Sequence, residues 1–202
     1  MSDRVVPFIH SNQVAETLAD VDLVLGCGDL PADYLEYVLT VLNVPLAYVP
    51  GNHDADSLKV PGGTNMDGRL AKLKGVRILG LGGSIRYKPE GRNQYSETEM
   101  TARVMRKLIA LTPFILLGRS AFDILLTHSP PRGIHDAQDQ AHRGFLGFRR
   151  LLSWAKPTLM VHGHTHAVTN LETTETAFGR TRILNVFPYR LIDWEPGQGS
   201  DA

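Results

Sequence analysis

The stretch Pro45-Leu46-Ala47-Tyr48-Val49-Pro50-Gly51-Asn52-His53-Asp54 decides how the rest of the chain is read. Its first half is apolar and reads as a short buried strand, and its second half breaks at glycine into an amide, an imidazole and a carboxylate. Packing alone asks for none of these three groups. Asn52 offers a neutral oxygen to a cation, His53 can carry a proton near neutral pH, and Asp54 can orient that imidazole through its other nitrogen. The plain alternative is a strand ending in a polar turn, and so short a motif does not separate the two by itself. The flanking segments carry the argument further.

Upstream, Val21-Asp22-Leu23-Val24-Leu25 is a near-continuous apolar run of the kind that fills a sheet covered on both faces, and it breaks at Gly26-Cys27-Gly28-Asp29. Pro31 suits a first helical turn, and Tyr34, Leu35, Tyr37, Val38, Val41 and Leu42 recur at helical spacing. Strand, glycine-flanked acid, helix and strand make the pattern of a βαβ unit. Before it, a helix is predicted over Asn12 to Ala19. The beginning of the chain has two readings. Either Arg4 to Ile9 is an edge strand, weakened by Pro7, or Asp3 closes a strand whose body is absent.

Downstream, Pro61 to Gly68 and Arg86 to Gln94 read as loops at the rim of a pocket, with a strand over Val76 to Leu81 between them. Ser96-Glu97-Thr98-Glu99 has the spacing of a capping box and starts a helix predicted to reach Leu108. Asp123 to Leu126 is a strand that stops at Thr127-His128-Ser129, a helix is predicted around Phe145 to Trp154, and Thr158 to Val161 is a strand ending in His162-Gly163-His164-Thr165-His166. Ala167 to Thr173 and Arg180 to Leu191, separated by a turn near Gly179, read as antiparallel strands closing the sheet. Trp194 to Ala202 reads as a frayed polar tail.

At 202 residues, with 43% hydrophobic and 21% charged residues, the composition suits one globular domain over residues 1–202. Twenty-one basic residues balance 21 acidic ones, so no basic face asks for nucleic acid or an anionic membrane. The one cysteine, Cys27, excludes an intramolecular disulfide and sits among apolar neighbours as a buried small residue. No apolar run approaches the roughly 20 residues that cross a bilayer and no leader pattern opens the chain, so the expected compartment is the cytoplasm.

Four apolar strands therefore end in potential metal ligands: Asp29, Asn52, His128, and the pair His164 and His166. In open α/β sheets ligands gather just beyond the carboxyl ends of the strands. Imidazole, carboxylate and amide oxygen without thiolate suit Mn, Fe, Zn or Ni better than a sulfur-rich structural zinc site does. The set exceeds what one ion needs, and a carboxylate at Asp29 can bridge two cations roughly 3.5 to 4 Å apart. His164 and His166 alternate in what reads as extended chain, which sets both rings on one face. From the residues alone, His135 and His142 are solvent-exposed histidines.

In their order, Gly28-Asp29, Gly51-Asn52-His53-Asp54, Thr127-His128 and Gly163-His164-Thr165-His166 resemble the motifs of the calcineurin-like metallophosphoesterases, over most of the chain. Thr127 to Asp136 followed by His142-Arg143-Gly144 is similar to the small phosphodiesterase-like branch of that family. The resemblance implies an α/β fold, a calcineurin-like four-layer αββα sandwich of two mixed β-sheets flanked by helices. It implies a metal-dependent phosphoric ester hydrolase with a dinuclear site, in which a hydroxide bridging the ions attacks a phosphodiester or phosphomonoester. By this resemblance Asp29 bridges two divalent ions, Mn2+ or Fe/Zn. Asn52, His128 and His164 hold one, and Asp3 and His166 hold the other. His53, with Asp54 behind it, is the proton donor or a phosphate contact beside Asn52, and His135 and Asp136 stand at the rim near the substrate. The implied partner is a small phosphorylated substrate, with no nucleic acid and no membrane, and a homo-oligomer is left open.

One motif departs. Family members open with a hydrophobic strand ending in Asp-x-His; here Ser2-Asp3 resembles the acid's position, and Val5 stands where the histidine belongs. The expectation is that the gene product begins upstream or that the first strand has been lost; Asp3 then remains the ligand, with water in place of the missing imidazole and His10 only the runner-up substitute, and the first metal site is the weaker of the two. A second class of function follows, a catalytically weakened metal-binding scaffold or regulatory protein of the same fold.

Overall fold

A computed structural model of the chain describes residues 1–117, 120–166 and 173–195. After a single-turn helix α1 (Val14–Thr17), strands β1 (Val24–Gly26) and β2 (Leu46–Tyr48) pair in parallel across the crossover helix α2 (Ala32–Leu42). Short β3 (Thr64–Asn65) joins the far side of β2, also in parallel. A second sheet collects β4 (Leu70–Leu73), β5 (Val76–Leu81), β8 (Ile124–Thr127), β9 (Leu159–His162), β10 (Glu175–Phe178) and β11 (Thr181–Asn185) in the order β10-β11-β9-β8-β5-β4. Its four inner strands run parallel, while β4 and β10 are antiparallel edges, so this sheet is mixed. Between them in sequence lie the small pair β6 (Ser84–Ile85) and β7 (Gln94–Tyr95), then the long helix α3 (Glu97–Leu116) and α4 (Leu146–Ala155).

Alternation along the strands makes the layers. Ile78, Leu126, Val161 and Leu184 pack toward the smaller sheet, against Cys27, Ala47 and Val49. Leu79, Leu81, Leu125, Met160 and Ile183 face the other way, onto Met100, Val104 and Leu108 of α3 and Phe148, Leu151 and Leu152 of α4. The outer face of the smaller sheet is covered by Val14, Tyr34, Leu35 and Val38 from α1 and α2. Helix, sheet, sheet and helix are therefore stacked in four layers, and the carboxyl ends of β1, β2, β8 and β9 open toward one rim. The mixed character expected of both sheets belongs to the larger one.

Several boundaries differ from the pattern of the sequence. The glycine-rich stretch Pro61 to Gly68 contributes β3 instead of remaining loop, because Tyr48 at the edge of β2 offers its carbonyl to Met66 N–H. α3 continues past Leu108 to Leu116, since Leu111 and Ile115 keep an apolar face on the sheet. The first helix shrinks to Val14–Thr17. Of the segment Ala167 to Thr173, residues 167–172 lie outside the described residues, as do residues 196–202 of the tail. Trp194 is partly buried against the layer between the sheets and is not frayed.

Neither reading of the chain's beginning fits fully. Arg4 to Ile9 forms no strand, whereas Met1 to Asp3 lie along the free edge of β1: the Met1 amino group donates to Leu25 O, Cys27 N–H to Met1 O, and Asp3 N–H to Gly28 O. Ser2 N–H reaches Pro188 O on the opposite side. Burial lowers the pKa of the Met1 amino group. Beneath it, a groove of about 850 Å³ runs between that edge and the other sheet, walled by Leu23, Leu25, Val76, Leu159, Val186 and Trp194 among others.

Candidate metal centre

Gly51 lets two strand ends meet. A Cβ there would lie 2.1 Å from Asp29 Oδ1 and 2.7 Å from Asp29 N, so only glycine allows the β2 turn to close on the β1 turn. The closure is fastened by Asp54, whose Oδ2 accepts from both Asp29 N–H and Gly51 N–H at 2.8 Å. His53 N–H in turn donates to Asp29 Oδ1 at 2.8 Å. Asp54 is placed behind His53 by the sequence to orient its ring; in the structure its carboxylate holds the two backbones together instead, and the His53 side chain is exposed. Burial raises the pKa of Asp54 against the lowering effect of those two N–H groups.

From the end of β8, fully buried His128 brings its ring to the same place. Its Nδ1 lies 2.7 Å from Cys27 O, a group that only accepts, so Nδ1 carries the proton and Nε2 a lone pair. That Nε2 faces Asn52 Oδ1 at 3.0 Å and Asp29 Oδ2 at 3.5 Å. The Asn52 amide is fixed in this sense because its Nδ2 donates to Tyr87 Oη at 3.2 Å. Three acceptors thus converge with no donor among them, an arrangement that a cation satisfies.

A second set adjoins the first. Asp3, His128 and His164 each offer a ligand atom, and these lie within 4.8 Å of one another. His164 Nε2 donates to Ala141 O at 2.7 Å, which leaves Nδ1 as its free lone pair. Asp3 Oδ2 accepts from His164 N–H at 2.9 Å, and its Oδ1 lies 3.6 Å from His166 Nε2. Burial pushes the Asp3 carboxyl up, but His128 and the His164 N–H outweigh it and the net direction is down. Burial, with His128 alongside, pushes His164 down to about 3, so its imidazole is neutral at pH 7 and able to bind a metal. The donor set of carboxylates, imidazoles and an amide fits divalent first-row ions.

Asp3, Asp29, Asn52, His128, His164 and His166, drawn from widely separated parts of the sequence, are therefore brought into one row, with Asp3 beside His128 and His164 as well as His166. The route for His164 differs from the expected alternation. Thr165 N–H donates to Gly163 O at 2.8 Å and His164 sits at φ +68°, so a tight turn, and not extended chain, presents the two rings. Asp3, Asp29 and His135 also hold positive φ, a concentration of strained backbone at one site. His10 packs edge-on against Tyr34 and Tyr37 of α2, and Val5 packs into the same apolar layer, so neither joins the row.

Other residues also serve the site, and one of them, Asn93, has no signal in the sequence. Asn93 donates to Gly51 O and Asp54 O, tying the loop after β6 to the motif. His142, which the sequence alone reads as exposed, is oriented by Asp139 at 3.0 Å, and its ring lies 5.1 Å from that of His164. His135, Asp136, His142 and His166 line a cavity of about 310 Å³ beside the row. Asp136 itself caps its loop by accepting from Gly133 and Gly144 N–H.

The family model described as calcineurin-like phosphoesterase matches residues 4–168. Among solved structures, the protein TT1561 of Thermus thermophilus superposes with a TM-score of 0.59 at 18% identity, covering 87% of this chain and 80% of that one. A second crystal structure superposes with a TM-score of 0.63 at 14% identity, covering 89% and 85%. At these identities the likeness is one of fold. No curated protein sequence matches the chain.

Proposed function

The chain belongs to the calcineurin-like phosphoesterase family, and on that premise we propose that it hydrolyses a small phosphodiester or phosphomonoester at two adjacent divalent-metal positions. The observation that carries the proposal is the unbroken row of acceptors from Asn52 through Asp29 and His128 to Asp3 and His166. Asn52, Asp29, His128 and His164 would hold one Mn2+, Fe or Zn ion, and Asp3 with His166, beside the shared Asp29, the other. When bound, such ions neutralise phosphoryl oxygens and make water a nucleophile near neutral pH. Asp29 is kept in place by the His53 N–H, and Asn52 by Tyr87. His53, exposed at the mouth of the site, would give a proton to the leaving oxygen, a contribution of roughly 10²- to 10⁴-fold. His135 and Asp136 stand at the rim of the adjacent cavity, where a substrate would lie. Among the described residues no helix is long and apolar enough to cross a membrane, and balanced charge supports a small substrate over nucleic acid.

The test is hydrolysis of bis-p-nitrophenyl phosphate and p-nitrophenyl phosphate with saturating Mn2+. Asp29→Asn should abolish turnover together with metal pairing, whereas His53→Ala should lower turnover and leave metal content nearly intact. Loss of metal in His53→Ala would remove the donor role. Val5, packed into the apolar layer, supplies no imidazole beside Asp3, and this favours one rival: a metal-binding scaffold of the same fold. Tight Mn2+ binding with no hydrolysis of either ester would select it.

A further inference from the structure

His162, at the end of β9, is fully buried, and both of its ring nitrogens are used. Nδ1 lies 3.0 Å from Gly163 O, which can only accept, so Nδ1 is protonated. Nε2 lies 3.0 Å from His135 Nδ1, and His135 Nε2 lies 2.9 Å from Thr176 Oγ1 on β10. With both rings neutral one direction satisfies every bond: the Thr176 hydroxyl donates to His135, His135 Nδ1–H to His162, and His162 Nδ1–H to the Gly163 carbonyl. That carbonyl also takes Thr165 N–H, so two donors fix the turn that presents His164 and His166. Room is scarce there, for a Cβ on Gly163 would stand 2.0 Å from Ser2 Oγ and 2.5 Å from Asp3 Oδ2.

We propose that His162 and His135 are positioning residues, an imidazole brace running from Thr176 to the Gly163 carbonyl that holds the His164–His166 turn in the shape that binds metal. The inference rests on the metal reading above, and it gives His135 a task apart from substrate contact. In the metal-free protein, nitrogen-15 NMR of the histidine rings should show both His135 and His162 as neutral Nδ1–H tautomers. By calorimetry, His162→Phe and His135→Leu should weaken Mn2+ binding about 10- to 100-fold, the usual effect of removing a group that orients a ligand. His162→Asn, whose amide can donate to Gly163 O and accept from His135, should recover most of the loss. An Nε2–H tautomer on either ring, or a folded His162→Phe protein with wild-type Mn2+ affinity, would overturn the brace. Absence of Mn2+ binding by the unaltered chain would instead remove the metal reading, and the tautomers alone would then decide the brace.

Discussion

Asp54 separates two accounts of the motif at the scale of one residue. If its work is to accept from Asp29 and Gly51 N–H, Asp54→Ala leaves both donors unpaired in a largely buried place, at about 1–3 kcal/mol each. Urea denaturation should register that loss, and Asp54→Asn, which keeps an accepting oxygen, should restore most of it. If Asp54 instead orients His53, Asp54→Asn would cut turnover with little change in stability. Gly163→Ala gives a second prediction: its Cβ would press on Ser2 and Asp3, so Mn2+ affinity should fall while circular dichroism stays native. Asp29, Asn52, His128, His164 and His166 are legible in the sequence because each stands just after an apolar strand, where packing asks for no polar group. Asp54's true partners are not, since they are backbone N–H groups, and a sequence does not show which loops touch. His162 is hidden for a similar reason: at the end of a buried strand it resembles any core residue until the tautomers are worked out.

At the scale of the element, α3 is the clearest case of local chemistry setting a boundary. Ser96 Oγ accepts from Glu99 N–H at 3.2 Å and the Glu99 carboxylate returns the bond to Ser96 N–H at 2.6 Å, a complete capping box. Ser96→Ala should cost about 1 kcal/mol, read as a lower thermal midpoint; no change would mean that packing of the helix against the sheet alone fixes its start. The other end of α3 is set by that packing, which carries the helix through Pro113 to Leu116. Strand β4 leaves little trace in the sequence because its exposure alternates across an edge, with Leu70 and Lys72 outward, and gives no buried run to detect. Met1 to Asp3 run along the edge of β1, above an apolar groove of about 850 Å³. A strand-forming apolar extension engineered before Met1 should therefore raise the thermal midpoint, by continuing that pairing over Leu23 and Leu25. An unchanged midpoint would show that the groove does not take a strand.

For the molecule as a whole, the order of strands and helices tells of a covered parallel sheet, and the four layers follow from which face each strand buries. Strand order and the meeting of two sheets come from the family resemblance, because alternation alone does not say which strands are neighbours. The same burial governs acid stability. His162 and His164 have folded pKa values of about 3, below the unfolded value near 6.5, so the unfolded chain takes up protons first as pH falls. Their contribution is intact above pH 7 and is lost between about pH 6.5 and 3, on the order of 1 kcal/mol for each histidine per pH unit in that window. The metal-free protein should lose stability on going from pH 7 to pH 5.5, before Asp3, whose lowered pKa acts only at more acid pH, makes any difference. A denaturation midpoint that is flat over this range would contradict the neutral buried rings. The central claim, that the strand ends form a metal centre, is tested most directly by counting metal per chain, by elemental analysis after loading with Mn2+ and desalting, on the unaltered protein and on His128→Ala. The account predicts two ions per chain in the first and at most one in the second, because His128 faces both sets of acceptors. No retained metal in the unaltered protein, or the same content in both, would contradict it.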